Sequence, residues 1–347
     1  MNNVGILSFI RSNASGDFQE RIPKPTSVNI ADIATDIMTY KQTKEEFCDV
    51  LLNKIVKQIV MTKMYENPYK FFKKEPLPYG KTIEMIMVDL IKAKDFSHRY
   101  GDGTDAGSLI STEKPTIAPE YHSENFKHKY KISVSDDRLK SAFLTANGLQ
   151  ALTNEIVNTA LTSAEYDEYL LIKDLLNLTD INEVELTGYS ALTTDNARAK
   201  MLTKSINTYI SYFSFLRKDF NKQGYYTHSK GKDIVIIVTP EMKAELDVEL
   251  LATAFHMDKA QVAERLVLID GFEKNSGTKE DPNIVPDDDT LAIVCDVDLI
   301  QFRDTLNTTE SFRNGDTLTT NLFIHRWGSA SATNFVNAIK IKKDTVV

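Results

Sequence analysis

The chain predicts an α+β fold built around one long helix, and three observations carry that prediction. No proline lies between Pro119 and Pro240, and no glycine between Gly148 and Gly188. Inside that window Leu149, Leu152, Ile156, Val157, Ala160, Leu161, Ala164, Leu170, Leu171, Leu175 and Leu176 recur at helical spacing on a stripe broad enough for burial on more than one side. Over 125–135, Phe126, His128, Tyr130, Ile132 and Val134 alternate with Lys127, Lys129, Lys131 and Ser133, the period of a half-buried strand. From about 180 to 310 strand-like and helix-like segments then take turns, as in an α/β or α+β domain.

Composition bounds the rest. At about 150 residues per domain, 347 residues make one large or two ordinary domains with a substantial core. A net charge of −8 excludes a protein whose main task is gripping a polyanion, since such proteins carry a basic footprint. Cys48 and Cys295 stand far apart without CxxC or histidine neighbours, so neither a disulfide framework nor a zinc module is expected. Apolar runs reach only about six residues, and Met1-Asn2-Asn3 brings no basic start. A soluble chain made in a cytoplasm, with no membrane contact, is the expectation.

The elements follow in order. Residues 1–42 mix turn formers such as Ser12-Asn13 and Pro23-Lys24-Pro25 with sparse apolar residues, which predicts an extended arm unable to make its own core, ending in a short segment at 30–38. Val50, Leu51, Ile55, Ile59 and Val60 predict a helix over 47–64, stopped by Asn67-Pro68. A β-rich run over 81–93 and the strand at 125–135 flank about 30 residues containing Gly101, Gly103, Gly107, Pro115 and Pro119, and they read as the two sides of a long projecting hairpin. The helix over 149–178 comes next, about 45 Å long at 1.5 Å per residue. Leu202, Ile206, Tyr209, Phe213, Leu216 and Phe220 predict an amphipathic helix. Strands are expected at 233–238, 266–269 and 290–294, with one helix entered through Thr239-Pro240 and another over 298–305. The last 30 residues predict strands at 318–327 and 334–341, separated by Gly328-Ser329-Ala330-Ser331.

Few residues point to chemistry. Gly80-Lys81-Thr82 lacks the first glycine of a phosphate loop, because Glu75 stands there, and a strand follows it. Asp296-Val297-Asp298 at a strand end could hold a divalent ion on a nucleotide diphosphate, although capping of the next helix is the simpler role. Asp287-Asp288-Asp289 reads as a solvated turn. His122 and His128 have no third ligand nearby. Lys127, Lys129 and Lys131 make a basic strand face, suited to phosphate or an acidic neighbour but also to guarding an edge. No catalytic, cofactor-binding or metal-binding residue is assigned, and no cofactor is expected.

The order of arm, helix, projection, long helix, α/β middle and terminal strands resembles the major capsid proteins of tailed bacteriophages, in particular those of small short-tailed phages. The stretch Asn321-Leu322-Phe323-Ile324-His325-Arg326-Trp327-Gly328, then Asn334-Phe335-Val336-Asn337-Ala338-Ile339, resembles that family's terminal strands; Lys131-Ile132-Ser133-Val134-Ser135-Asp136 resembles its passage from projection into spine. The resemblance implies an N-terminal arm at 1–42, the first part of a peripheral domain at 43–80, an extended loop at 81–135, a spine helix at 136–180, an axial domain at 181–310 and terminal peripheral strands at 311–347. It implies a non-enzymatic protein whose partners are copies of itself in hexamers and pentamers, portal and scaffolding proteins, and weakly and non-specifically the packaged DNA. The expected place is the virion, after synthesis in a bacterial cytoplasm. Two alternatives remain: a metal-dependent glycosyl or nucleotidyl transferase using Asp296 and Asp298, and an encapsulin-like nanocompartment shell.

Overall fold

A computed structural model describes residues 3–59, 65–78, 81–91, 114–144, 147–246, 265–276 and 283–344. The long helix is present as one element, α6 (Gly148–Leu178), 31 residues and about 46 Å. Its two halves serve different cores. Leu149, Leu152 and Ile156 join an N-terminal cluster, while Tyr169, Ile172 and Leu176 join a second cluster against the main sheet. The preceding residues form a separate short helix, α5 (Asp136–Leu144), so the spine expected over 136–180 is broken near Asn147, which takes a left-handed φ of 61°.

Residues 3–39 correct the expectation of an extended arm. They form α1 (Asn3–Asn13), α2 (Gly16–Arg21) and α3 (Ile30–Thr39). Their sparse apolar residues, Ile6, Leu7, Ile10, Phe18, Ile33 and Ile37, are all buried against α4 (Lys41–Ile59), α5 and α6. The cluster is built from many elements, so no single segment carries enough apolar residues to announce it. Asn3 locks the arrangement: its side-chain Nδ2 donates to Ala142 O (3.2 Å) and its Oδ1 accepts from Leu149 N (3.1 Å), one of the donors that the start of α6 would leave orphaned.

Strands β1 (Ile83–Val88), β2 (Ile117–His122) and β3 (Phe126–Ser135) correct the hairpin. β1 pairs antiparallel with β2, from Ile83 opposite His122 to Val88 opposite Ile117, whereas β3 pairs with a strand near the C-terminus. Pro119 has no donor for a ladder, which speaks against a strand in sequence, but in a two-stranded ribbon every strand is an edge, and there proline is tolerated. The tip was expected over 94–124; its end holds β2, and 94–113 lie outside the described residues.

The main sheet has the order β4-β12-β9-β5-β6, from β4 (Asn182–Leu186), β5 (Ile234–Val238), β6 (Leu266–Leu268), β9 (Thr290–Asp296) and β12 (Ala338–Lys343). A small pair, β7 (Glu273–Asn275) and β8 (Ile284–Pro286), lies outside it. Alternate residues of the apolar strand β5 face opposite layers. Ile234, Ile236 and Val238 meet α7 (Asp195–Phe213), while Val235 and Ile237 meet the C-terminal half of α6. Burial on both faces is why these strands read as continuous apolar runs. The predicted start at Thr239-Pro240 is present in α8 (Pro240–Glu245), whose N-cap Thr239 hydroxyl accepts from Met242 N (3.3 Å).

Two further expectations are corrected. The helix expected over 298–305 is instead the start of β10 (Ile300–Asn314), which pairs along its length with β11 (Thr319–Ala332); β11 then pairs with β3. Gly328-Ser329-Ala330-Ser331 is not a turn but the second half of β11, and β12 leaves that pair to close the main sheet beside β9 and β4. Gly328 stands in the strand because a Cβ there would meet Arg303 O and the Phe126 ring. Gly328→Ala is therefore expected to cost about 1–3 kcal/mol by overpacking, read from the midpoint of chemical denaturation.

Candidate assembly surfaces

The residues that the sequence singled out for chemistry are engaged in structure. Asp296, the last residue of β9, is buried, which pushes its carboxyl up, and it accepts from Asp298 N (2.9 Å); Asp298 is turned away onto Lys74. The pair shares no site for a divalent ion, and the helix that either was expected to cap is a strand. Asp288 and Asp289 form the exposed turn that was expected, but the Asp287 carboxylate is buried, accepts from the Thr290 hydroxyl (2.7 Å) and pairs with Lys274 (3.2 Å). Burial raises its pKa, but those two partners hold it below the usual carboxylate range. His122 and His128 stand on different strands. His122 is buried with Nδ1 against the Ser331 hydroxyl (2.7 Å), and burial lowers its pKa, while His128 packs on Phe126. Gly80 lies outside the described residues, and Lys81 precedes β1.

What the fold does present is surface. The β1–β2 ribbon is anchored on one face, where Glu120 accepts from Thr333 (2.5 Å) and His122 meets Ser331. Its other face carries Ile86, Val88, Ile117 and Tyr121, with Ile86 57% and Tyr121 63% exposed. Among the described residues nothing covers this apolar face.

A second surface is the outer face of the β10-β11-β3 sheet. Strand β3 is its edge, and Lys127, Lys129 and Lys131 stand opposite Trp327, His325 and Phe323 of β11. The Lys127 ammonium lies 4.4 Å from the Trp327 ring centroid, and those of Lys129 and Lys131 lie 5.6 and 6.0 Å from that of Phe323. The sequence showed the lysines. Their aromatic partners, about 190 residues away, appear only once β11 is seated.

Buried charges tie the elements behind these surfaces. Glu168 of α6 accepts from Lys73 (2.9 Å) and Arg326 (2.7 Å), and Lys73 also pairs with Asp304 (2.8 Å), joining the spine to β10, β11 and the segment before β1. Burial nevertheless leaves the Glu168 carboxyl above its usual range, while its acceptor partners keep the Lys73 ammonium above its own. Among the described residues no group of histidine, cysteine and carboxylate side chains forms a metal site, and no helix is long and apolar enough to cross a membrane.

Comparison with known proteins identifies the family. The family model for the Phi29-like phage major capsid protein matches residues 7–342. The major capsid protein of Bacillus phage B103 is 30% identical over 344 residues, spanning 96% of this chain and 71% of that protein. The major capsid protein of Streptococcus phage Cp-1 is 26% identical, spanning 97% and 93%. Among solved structures, the capsid of Staphylococcus phage Andhra superposes with a TM-score of 0.62 at 15% identity, covering 81% of this chain and 85% of that one, which shows a shared fold. An apolar ribbon without a core of its own, carried on a capsid fold and matched almost from end to end, places this chain in the Phi29-like phage major capsid protein family.

Proposed function

We propose that copies of this chain close into hexamers and pentamers of an icosahedral head around double-stranded phage DNA, assembled in the bacterial cytoplasm with portal and scaffolding proteins. The observation that supports this most is the apolar outer face of the β1–β2 ribbon, which no described part of the subunit covers and which another copy would bury. Each copy gives its ribbon to one neighbour and receives another's elsewhere, a heterologous contact that closes into rings when the rotation permits. In this reading the helices of residues 3–39 stay packed in their own subunit, and the ribbon of the expected extended loop makes the contact. An acidic chain, at −8, fits a wall against which DNA slides with few neutralised phosphates.

The test is Ile86→Ser with Val88→Ser. Both side chains are exposed in the subunit, so its melting temperature is expected to stay within about 3 °C, because surface changes away from special features cost little. Shells seen by negative-stain microscopy should fall at least tenfold. Undiminished shells contradict the role of the ribbon. Shells that protect no DNA from nuclease in infected cells contradict the phage-head reading and favour a nanocompartment.

A further inference from the structure

The connection between α7 and β5, residues 214–233, is held more rigidly than a linker requires. Arg217 and Thr227 bond each other twice through their backbones, each at 3.0 Å, which pinches the loop at its base. Inside the pinch, buried Asn221 donates to Tyr225 O (2.7 Å) and to the Thr227 hydroxyl (3.0 Å), and accepts from Tyr225 N (3.0 Å). The Thr227 hydroxyl passes the network to Asn337, which donates to Ser229 (3.2 Å). Gly224 takes a φ of +67° to make the turn. The result is a preformed shape with its polar groups satisfied inward.

Its outward side is apolar and aromatic. Phe215 is 62% exposed, and Leu216, Tyr212 and Tyr226 are exposed with it. The Arg217 guanidinium lies 4.4 Å from the centre of the Tyr212 ring, and the Lys218 ammonium 4.4 Å from that of Tyr226. Rings backed by cations on a rigid loop are the composition of an interface core, where tyrosine, phenylalanine and arginine are enriched. Lys218 also pairs with Asp89 (3.2 Å), the residue just before exposed Leu90 and Ile91 at the far end of the ribbon. The two apolar faces thus adjoin across one ion pair. Together they carry half of the exposed large apolar side chains among the described residues.

We infer that the 214–233 loop is the second half of the contact whose first half is the β1–β2 ribbon, and that the occupant is a second copy of this chain. The inference rests on the shell reading above. Continuity with the ribbon face argues for the same occupant. Lys218 and Lys222 are already paired within the subunit, with Asp89 and Asp180, so the contact is an apolar one rather than one driven by charge. Preorganisation means that little loop entropy is lost when the contact forms, which raises its value per side chain.

The experiment compares the parent with Phe215→Ser/Tyr226→Ser, and with Phe215→Ser alone in case the double change perturbs the turn. Circular dichroism with thermal melting reports the fold. Sedimentation velocity and negative-stain microscopy report association, and hydroxyl-radical labelling of particles against free subunit reports protection of Tyr212, Phe215 and Tyr226. The expected result is a folded subunit, at least tenfold fewer particles from the double variant, a smaller loss from the single one, and protection of the three rings in parent particles. A parent that assembles while either folded variant matches it, or whose rings label equally in both states, overturns this inference and leaves the ribbon reading standing. A parent that never associates overturns the shell reading and this inference with it.

Discussion

Asp136→Ala is expected to destabilise the subunit by about 3–5 kcal/mol, the cost of leaving buried charge without its partner. Asp136 begins α5 and receives two cations at once. Arg313 of β10 donates to both carboxylate oxygens, each at 3.1 Å, and Lys44 of α4 contacts it from the other side. The Lys44 side chain is only 3% exposed, so removing the carboxylate strands an ammonium in the N-terminal cluster beside Cys48, whose thiol is itself pushed up by burial. Desolvation alone would raise the Asp136 pKa, but the bonds from Arg313 and Lys44 outweigh it and hold the carboxyl below its usual value. The sign follows. A depressed folded pKa contributes stability that is complete above the unfolded value, about 3.9, and is lost as pH falls through the lower folded value. The parent should therefore lose stability on acidification below about pH 4, and Asp136→Ala should lose less of what it has left over that range. Urea denaturation at pH 7 and pH 3 measures both. A loss under about 1 kcal/mol at pH 7 would mean that water screens the triad as it screens a surface pair.

Ala164→Pro is expected to cost at least about 3 kcal/mol and to divide the molecule. Ala164 is buried near the middle of α6, between the half that packs the N-terminal cluster and the half that packs the main sheet. A proline there removes a helical hydrogen bond and drives its ring into the preceding turn. The bend is transmitted to both clusters, because a packed core does not deform continuously. The expected signature is a lost or biphasic unfolding transition, with trypsin opening the 3–59 region before the main sheet. A single cooperative transition at the parental midpoint would show that α6 is not the element that couples the two cores.

The parts of this protein that its sequence determined are those whose signal is local. The spine could be read because its apolar stripe and its freedom from proline and glycine persist over 30 residues, whichever partners arrive. Strand β3 could be read from its two-residue period, and the start of α8 from Thr239-Pro240, because a cap and a fixed φ act within one turn. The resemblance to a capsid subunit rested on the order of such elements, and order survives when partners are misassigned. Partnership is what the tertiary structure decided. Ile6, Phe18 and Ile33 are too sparse to announce helices; they become core only because α4, α5 and α6 supply the remaining walls. The segment over 300–305 has the apolar spacing of a short helix, yet ladder bonds to β11 and a place against Phe126 override that local preference and make it strand. Likewise the ribbon pairs β1 with β2, leaving β3 to a strand about 190 residues on. Register and pairing are set by which backbone groups and apolar faces meet across the whole chain, and no window of sequence contains both sides of such a contact.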